Sequence, residues 1–232
     1  MNVDITDLKT VRLSQDGSAV IILDQTCLPG SEVYVSLSSA EEIWEAIYRL
    51  KVRGAPAIGI AAAYGIYVCS RQIAANTYGG FCSEFLRIKD YLASSRPTAV
   101  NLVAALDRME KVVVAHSVNP VPEIVELLRV EAEAIRAEDA AACRKIGENC
   151  LSLLRPGMGI LTHCNAGHLA VSEYGTEGFR HRQRHIGFGF DHLRFHLLGQ
   201  CFHFLFSGHS HRPPLFRFRL SDFQISFGLV DL

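Results

Sequence analysis

Lysine and alanine disappear from this 232-residue sequence after Glu177, although all five lysines lie before that point. Long apolar runs are missing as well. The longest, Ala57 to Cys69, falls short of the ~20 residues a bilayer-spanning helix requires and is rich in Ala and Gly, so it reads as a buried helix. The N-terminus, MNVDITDLKT, lacks a basic region followed by an apolar one and is not read as a secretory leader. An excess of one charge is also lacking. A formal net charge of -1 argues against a dedicated binder of nucleic acid or of an anionic membrane. The seven cysteines (Cys27, Cys69, Cys82, Cys143, Cys150, Cys164 and Cys201) are odd in number and form no CxxC pair. That fits reduced thiols in a cytoplasmic protein better than a disulfide scaffold.

What is present, 49% hydrophobic and 20% charged residues, is ordinary globular usage at a length suited to one large domain or two small ones. VRLSQDGSAVIILDQ holds two β-prone runs around Asp16-Gly17, a hairpin signal. Ser39 with Glu42 makes a capping-box pattern ahead of Ile43, Trp44, Ile47 and Leu50, which recur at helical spacing; this helix is expected to end at Gly54. Pro56 then suits the first turn of the next helix. Further helices are expected from about Gly80 to Ala93, and after Pro97 with Thr98 as N-cap and Leu102, Leu106, Met109 and Val113 on one face. From Pro122 to about Leu154 the pattern predicts a long amphipathic helix or a pair broken at Gly147. MGILTHC (158–164) reads as a buried strand, with Asn165, Ala166 and Gly167 as the loop at its carboxyl end, where α/β sheets bind ligands.

Residues 178–232 differ in kind. They hold 11 of the 13 Phe, 7 of the 10 His, 7 Arg and only 3 acids. A new domain, a disordered basic tail and a changed reading frame all produce such a switch. His181/His185 and His192/His196 stand at i, i+4 spacing and His209 and His211 lie close together, but no HExxH pattern, acidic ligand or Cys ligand accompanies them, so no metal site is assigned.

Two helix entries carry candidate chemistry. Arg53-Gly54-Ala55 combines a guanidinium, a glycine that permits close backbone approach, and the free N–H groups of a helix start. Arg96 stands before Pro97 and Thr98 at another such start. Two arginines at two helix mouths can share one phosphate; spacing alone describes helix-entry turns with solvated arginines equally well. Cys164, at a strand end beside backbone amides, is either a small core residue or a reactive thiol.

Taken together, LDQTCLP (23–29), KVRGAPAIGIAAAYG (51–65), SRPTAVNL (95–102) and ILTHCNAG (160–167) resemble, in order and spacing, the methylthioribose-1-phosphate isomerases. That superfamily also contains regulatory subunits of translation initiation factor 2B and ribose-1,5-bisphosphate isomerases. The resemblance spans roughly residues 10–176. It implies Arg53, Gly54, Ala55 and Arg96 as substrate-binding residues, Cys164 as a catalytic residue, a sugar phosphate as the small-molecule partner, no metal or organic cofactor, and a cytoplasmic homodimer without nucleic-acid or membrane partners. The implied fold class is α/β: a mostly helical N-terminal substrate-binding domain with a small β-hairpin element (1–155), the start of an incomplete Rossmann-like catalytic domain (156–177) whose first strand would lie unpaired, and an aberrant tail (178–232) expected to be disordered. After Thr176 the family's acidic substrate loop, catalytic aspartate and Asn-Lys segment find no match here. The resemblance therefore implies an aldose–ketose isomerase of methionine salvage, truncated or frame-shifted near residue 176 and catalytically impaired. The alternatives are a non-enzymatic initiation-factor-2B-like regulatory or interaction subunit, or a ribose-1,5-bisphosphate isomerase.

Overall fold

The structure is a computed structural model, and it describes residues 9–153, 159–161, 167–173, 195–196, 215–220 and 223–230, with side chains described for 9–153 and 167–173. Strands β1 (Val11–Leu13), β2 (Val20–Leu23) and β3 (Tyr34–Leu37) form an antiparallel sheet in the order β1-β2-β3. The β1–β2 hairpin turns at Asp16-Gly17, as the sequence indicates, through a six-residue loop (14–19). Gly17 takes φ 67, and the Asp16 carboxylate accepts from Ser14 Oγ at 2.6 Å, Ser18 Oγ at 2.8 Å and Ser18 N at 3.1 Å. Those bonds hold its pKa well below the usual carboxylate range.

Among the described residues five α-helices follow. Helix α1 (Ala40–Tyr48) begins with the expected capping box, Ser39 accepting from Glu42 N while Glu42 accepts from Ser39 N. Its end is earlier than expected. Leu50 adopts φ 59 just past the Arg49 cap, taking the left-handed position that glycine usually fills, and Gly54 instead caps the start of α2. Helix α2 (Ala55–Ser70) is the centre of the domain: Ala57 through Ser70 are all buried, which is why this stretch is apolar on every side. Around it pack α3 (Tyr78–Ala93), through Phe81, Phe85, Ile88 and Leu92, and α4 (Val100–Ala115), through Leu102, Leu106, Met109 and Val113. The cap of α4 is Ala99, without a side-chain bond, rather than Thr98.

Helix α5 (Val121–Leu151) is a single unbroken element, about 46 Å long at 1.5 Å per residue, with Gly147 buried inside it. Arg108 of α4 pairs with Glu131 and Glu138 of α5, and Lys89 of α3 pairs with Asp107 and Glu110 of α4. These pairs fix the lateral order of the outer helices. The sequence reading of a mostly helical chain with a small β element therefore holds.

A second sheet has the order β5-β4-β7-β6, built from β4 (Gly159–Leu161), β5 (Phe195–His196), β6 (Leu215–Leu220) and β7 (Phe223–Val230). The expectation of a lone strand near 158–164 is corrected here. β4 pairs in parallel with β5, Ile160 opposite Phe195, and antiparallel with β7, Ile160 opposite Leu229. Backbone pairing accounts for the difference, because an isolated strand would leave its amides and carbonyls unmatched. Paired strands also occupy 195–196, 215–220 and 223–230, within the segment whose composition suggested disorder. The alternation Phe216-Arg217-Phe218-Arg219 is the period-two signal that composition obscured.

Candidate functional site

The site is assembled where α2 begins. Gly54 (φ 96, ψ 133) occupies a backbone conformation that L side chains rarely adopt, and Pro56 enters the first turn without needing an amide partner. The arrangement leaves the first N–H groups of α2 pointing outward at its mouth. Helix α4 starts at the same end, because Gly59 of α2 faces Asn101, the second residue of α4. A Cβ on Gly59 would stand 2.9 Å from the Asn101 carbonyl oxygen. The contact lies about 6 Å along α2 from its first residue and one residue into α4, and each helix start carries a partial positive charge.

Arg53 is exposed and Arg96 half-buried, and among the described residues neither enters an ion pair. Arg49, Arg87, Arg108, Arg129 and Arg136 all do. Ala55 is exposed at the mouth of α2. Cys164 lies outside the described residues, as do the side chains of His181, His185, His192, His196, His209 and His211.

The segment that follows Cys164 is described from Gly167 and lies directly on this mouth. His168–Ala170 form one 3-10 turn after Gly167 (φ 95), and a Cβ on Gly54 would stand 2.6 Å from the Ala170 Cβ and carbonyl oxygen. Four side-chain bonds pin the segment. Thr10 Oγ1 donates to His168 O at 2.7 Å, Gln25 Nε2 donates to Leu169 O at 2.7 Å, Ser172 N donates to Asp139 Oδ2 at 2.7 Å, and Arg136 Nη1 meets Glu173 Oε1 at 3.0 Å. Burial pushes the Asp139 carboxyl up, while the Ser172 amide and hydroxyl act the other way. Tyr64 is fully buried beside Glu133 and Arg136, and burial raises its phenol pKa.

Gln25 joins both halves. Asp24 Oδ1 accepts from Thr26 N at 2.9 Å and from Thr26 Oγ1 at 2.6 Å, a local turn that sends the Gln25 side chain inward. Sequence reasoning took Gln25 only as part of the 23–29 segment, and Asp139 and Ser172 were not singled out. A surface depression lined by Ser39, Glu41, Cys69, Gln72, Glu84 and Arg87 sits at the other end of α2. Cys69 is about 21 Å along the helix from Ala55, so that depression has no part in the site. Among the described residues no group of three or more His, Cys, Asp or Glu is placed to hold a metal, and no helix is long and apolar enough to cross a membrane.

Comparison with known proteins gives the following. A family model described as the initiation factor 2 subunit family matches residues 51–183. A methylthioribose-1-phosphate isomerase of Parabacteroides distasonis is 71% identical over 166 residues, 72% of this chain and 50% of its own. A 5-deoxyribose 1-phosphate isomerase of Petrotoga mobilis is 51% identical over 166 residues, 72% of this chain and 48% of its own. Among solved structures, 5-methylthioribose 1-phosphate isomerase from Pyrococcus horikoshii OT3 superposes with a TM-score of 0.71 at 40% identity, over 78% of this chain and 50% of that one. Translation initiation factor eIF-2B subunit delta from A. fulgidus superposes with a TM-score of 0.68 at 34% identity, over 77% of this chain and 52% of that one. The chain spans about half the length of the curated relatives it matches.

Proposed function

The chain belongs to the initiation factor 2 subunit family, and from that premise we propose that it carries the phosphate-binding part of an aldose–ketose isomerase acting on methylthioribose 1-phosphate. The observation that carries this reading is the packing of Ala170 on Gly54, which lands the segment following Cys164 on the helix mouth beside Arg53. Arg53 and Arg96 are cations with no ion-pair partner among the described residues, and the N-termini of α2 and α4 add unpaired amides. A phosphate monoester matches that set, since a guanidinium fork and helix amides both suit its oxygens.

The chemistry explains why such a holder is needed. Phosphate on C1 masks the sugar aldehyde, so conversion to the ketose requires ring opening and then hydrogen transfer between C2 and C1. Fixing the phosphate through Arg53, Ala55 and Arg96 would hold those carbons against an acid or base group, and Cys164 is the residue we assign there. The relatives' names divide between two 5-modified ribose 1-phosphates, so the 5-substituent is the part of the substrate this half of the site reads least. We read β4, within residues 156–177, as the opening strand of the Rossmann-like unit. The odd cysteine count without a CxxC pair supports a cytoplasmic setting, and the homodimer rests on family resemblance.

One observation favours a second reading. The similarity to the A. fulgidus initiation-factor subunit supports a non-catalytic interaction protein on the same fold. Calorimetry with methylthioribose 1-phosphate and with unphosphorylated methylthioribose separates the two. Saturable binding of the phosphorylated sugar alone supports the isomerase reading. Binding of neither sinks it.

A further inference from the structure

Gln25 is only 1% exposed, yet it touches both parts of the site. Its backbone N donates to Lys51 O at 2.9 Å, its backbone O accepts from Arg53 Nη2 at 3.1 Å, and its Oε1 accepts from Arg53 Nε at 3.4 Å. The same amide, through Nε2, donates to Leu169 O at 2.7 Å. The orientation of that amide follows from its partners, because a carbonyl oxygen only accepts and a guanidinium only donates.

We infer that Gln25 is a positioning residue that holds the Arg53 guanidinium and the 167–173 segment in one register, and that its neutral amide leaves the Arg53 charge available to the substrate phosphate. This rests on the phosphate-binding reading given above. No other side chain of this length does both jobs. Glutamate would accept from Arg53, but its second oxygen would face the Leu169 carbonyl and its charge would compete with phosphate for the guanidinium. Leucine fills the space and meets neither partner. Asparagine is one methylene short of spanning from Leu169 to Arg53. Nη1 of Arg53 makes no hydrogen bond among the described residues, so the fork is steadied on one side and open on the other.

The test compares the full chain with Gln25→Leu and Gln25→Glu, reading calorimetric affinity for methylthioribose 1-phosphate and amide hydrogen exchange at 51–55 and 167–171. Gln25→Leu is expected to weaken binding at least tenfold and to speed exchange in both segments together. Gln25→Glu is expected to keep 51–55 protected, to speed exchange at 167–171, and still to lose at least tenfold in affinity, which a purely structural role would not produce. Affinities within twofold of the parent for both variants overturn the inference. If the parent itself does not bind, the phosphate reading falls and takes the charge argument with it. The mechanical link is then judged by exchange alone: joint acceleration by Gln25→Leu upholds it, and acceleration at neither segment, or at only one, removes it.

Discussion

Gly54 and Ala170 are packed so closely that the first atom of any side chain at Gly54 would overlap the Ala170 backbone. The contact joins the start of α2 to a segment more than a hundred residues away, and it does so at φ 96, where a Cβ is strained even in open space. Gly54→Ala therefore adds backbone strain to a clash with main chain that cannot rotate aside. A loss of roughly 3 kcal/mol or more is expected, read from the urea midpoint. A variant as stable as the parent would show that Ala170 does not sit on the helix mouth.

Asp139 gives a pH dependence whose sign can be worked out. Burial raises its folded-state pKa above the ordinary aspartate value of about 3.9, so the folded protein holds this proton more tightly than the unfolded chain. Its contribution to stability is then full below that value and is lost as pH rises through the raised folded pKa. Asn in its place can still accept from Ser172 N without ionising. Asp139→Asn is expected to be at least as stable as the parent at pH 7 and to lack the downward step that begins near pH 4. Asp139→Ala should lose about 1–3 kcal/mol, since the Ser172 amide loses its acceptor. Urea midpoints from pH 3 to 7 decide it, and a parent whose stability relative to Asp139→Asn rises across that window contradicts the account.

Local signals made much of the fold legible. The capping box at Ser39 and Glu42, the apolar face of Leu102, Leu106, Met109 and Val113, and the hairpin at Gly17 are each written within a few residues and appear as read. Gly54 starts α2 rather than ending α1, since a glycine that stops a helix and one that starts the next look alike in sequence, and Leu50 takes the left-handed position instead. The helix starts near Arg53 and Arg96 were legible through Pro56, inside the first turn of α2, and Pro97, three residues ahead of α4. Gln25, Asp139 and Ser172 were not, since Gln25 meets Leu169 across 144 residues and Ser172 meets Asp139 across 33. No local pattern encodes such pairings.

Arg53 and Arg96 should not tolerate replacement by lysine. Lysine at Arg53 keeps the charge and loses the fork that binds Gln25 Oε1 and Gln25 O through Nε and Nη2. Each single variant is expected to bind methylthioribose 1-phosphate about tenfold more weakly, equivalent to roughly 1.4 kcal/mol. Unchanged affinity in both variants would remove the two arginines from the phosphate site while leaving the fold assignment intact.

Catalysis makes the strongest demand on the sequence, because hydrogen transfer between adjacent carbons needs an acid and a base on the same sugar. Arg53, Ala55 and Arg96 are assigned to holding, which leaves Cys164 as the assigned reacting group in the 232-residue chain. Asp191, Asp222 and Asp231 stand in no context that matches the family's catalytic aspartate. The chain as written is therefore expected to bind methylthioribose 1-phosphate without converting it, since losing one member of a cooperating pair commonly costs ~10² to 10⁴-fold and losing its positioning costs more. Joining residues 1–176 to the C-terminal part of the Parabacteroides distasonis relative supplies the missing group on a matching frame. Turnover should then appear, and Cys164→Ala should abolish it in the joined protein. The measurement is ketose formation from methylthioribose 1-phosphate in the chain, the joined protein and its Cys164→Ala variant. Robust turnover by the 232-residue chain would show that a second acid–base group is present after all, and a joined protein indifferent to Cys164→Ala would take that residue out of the mechanism.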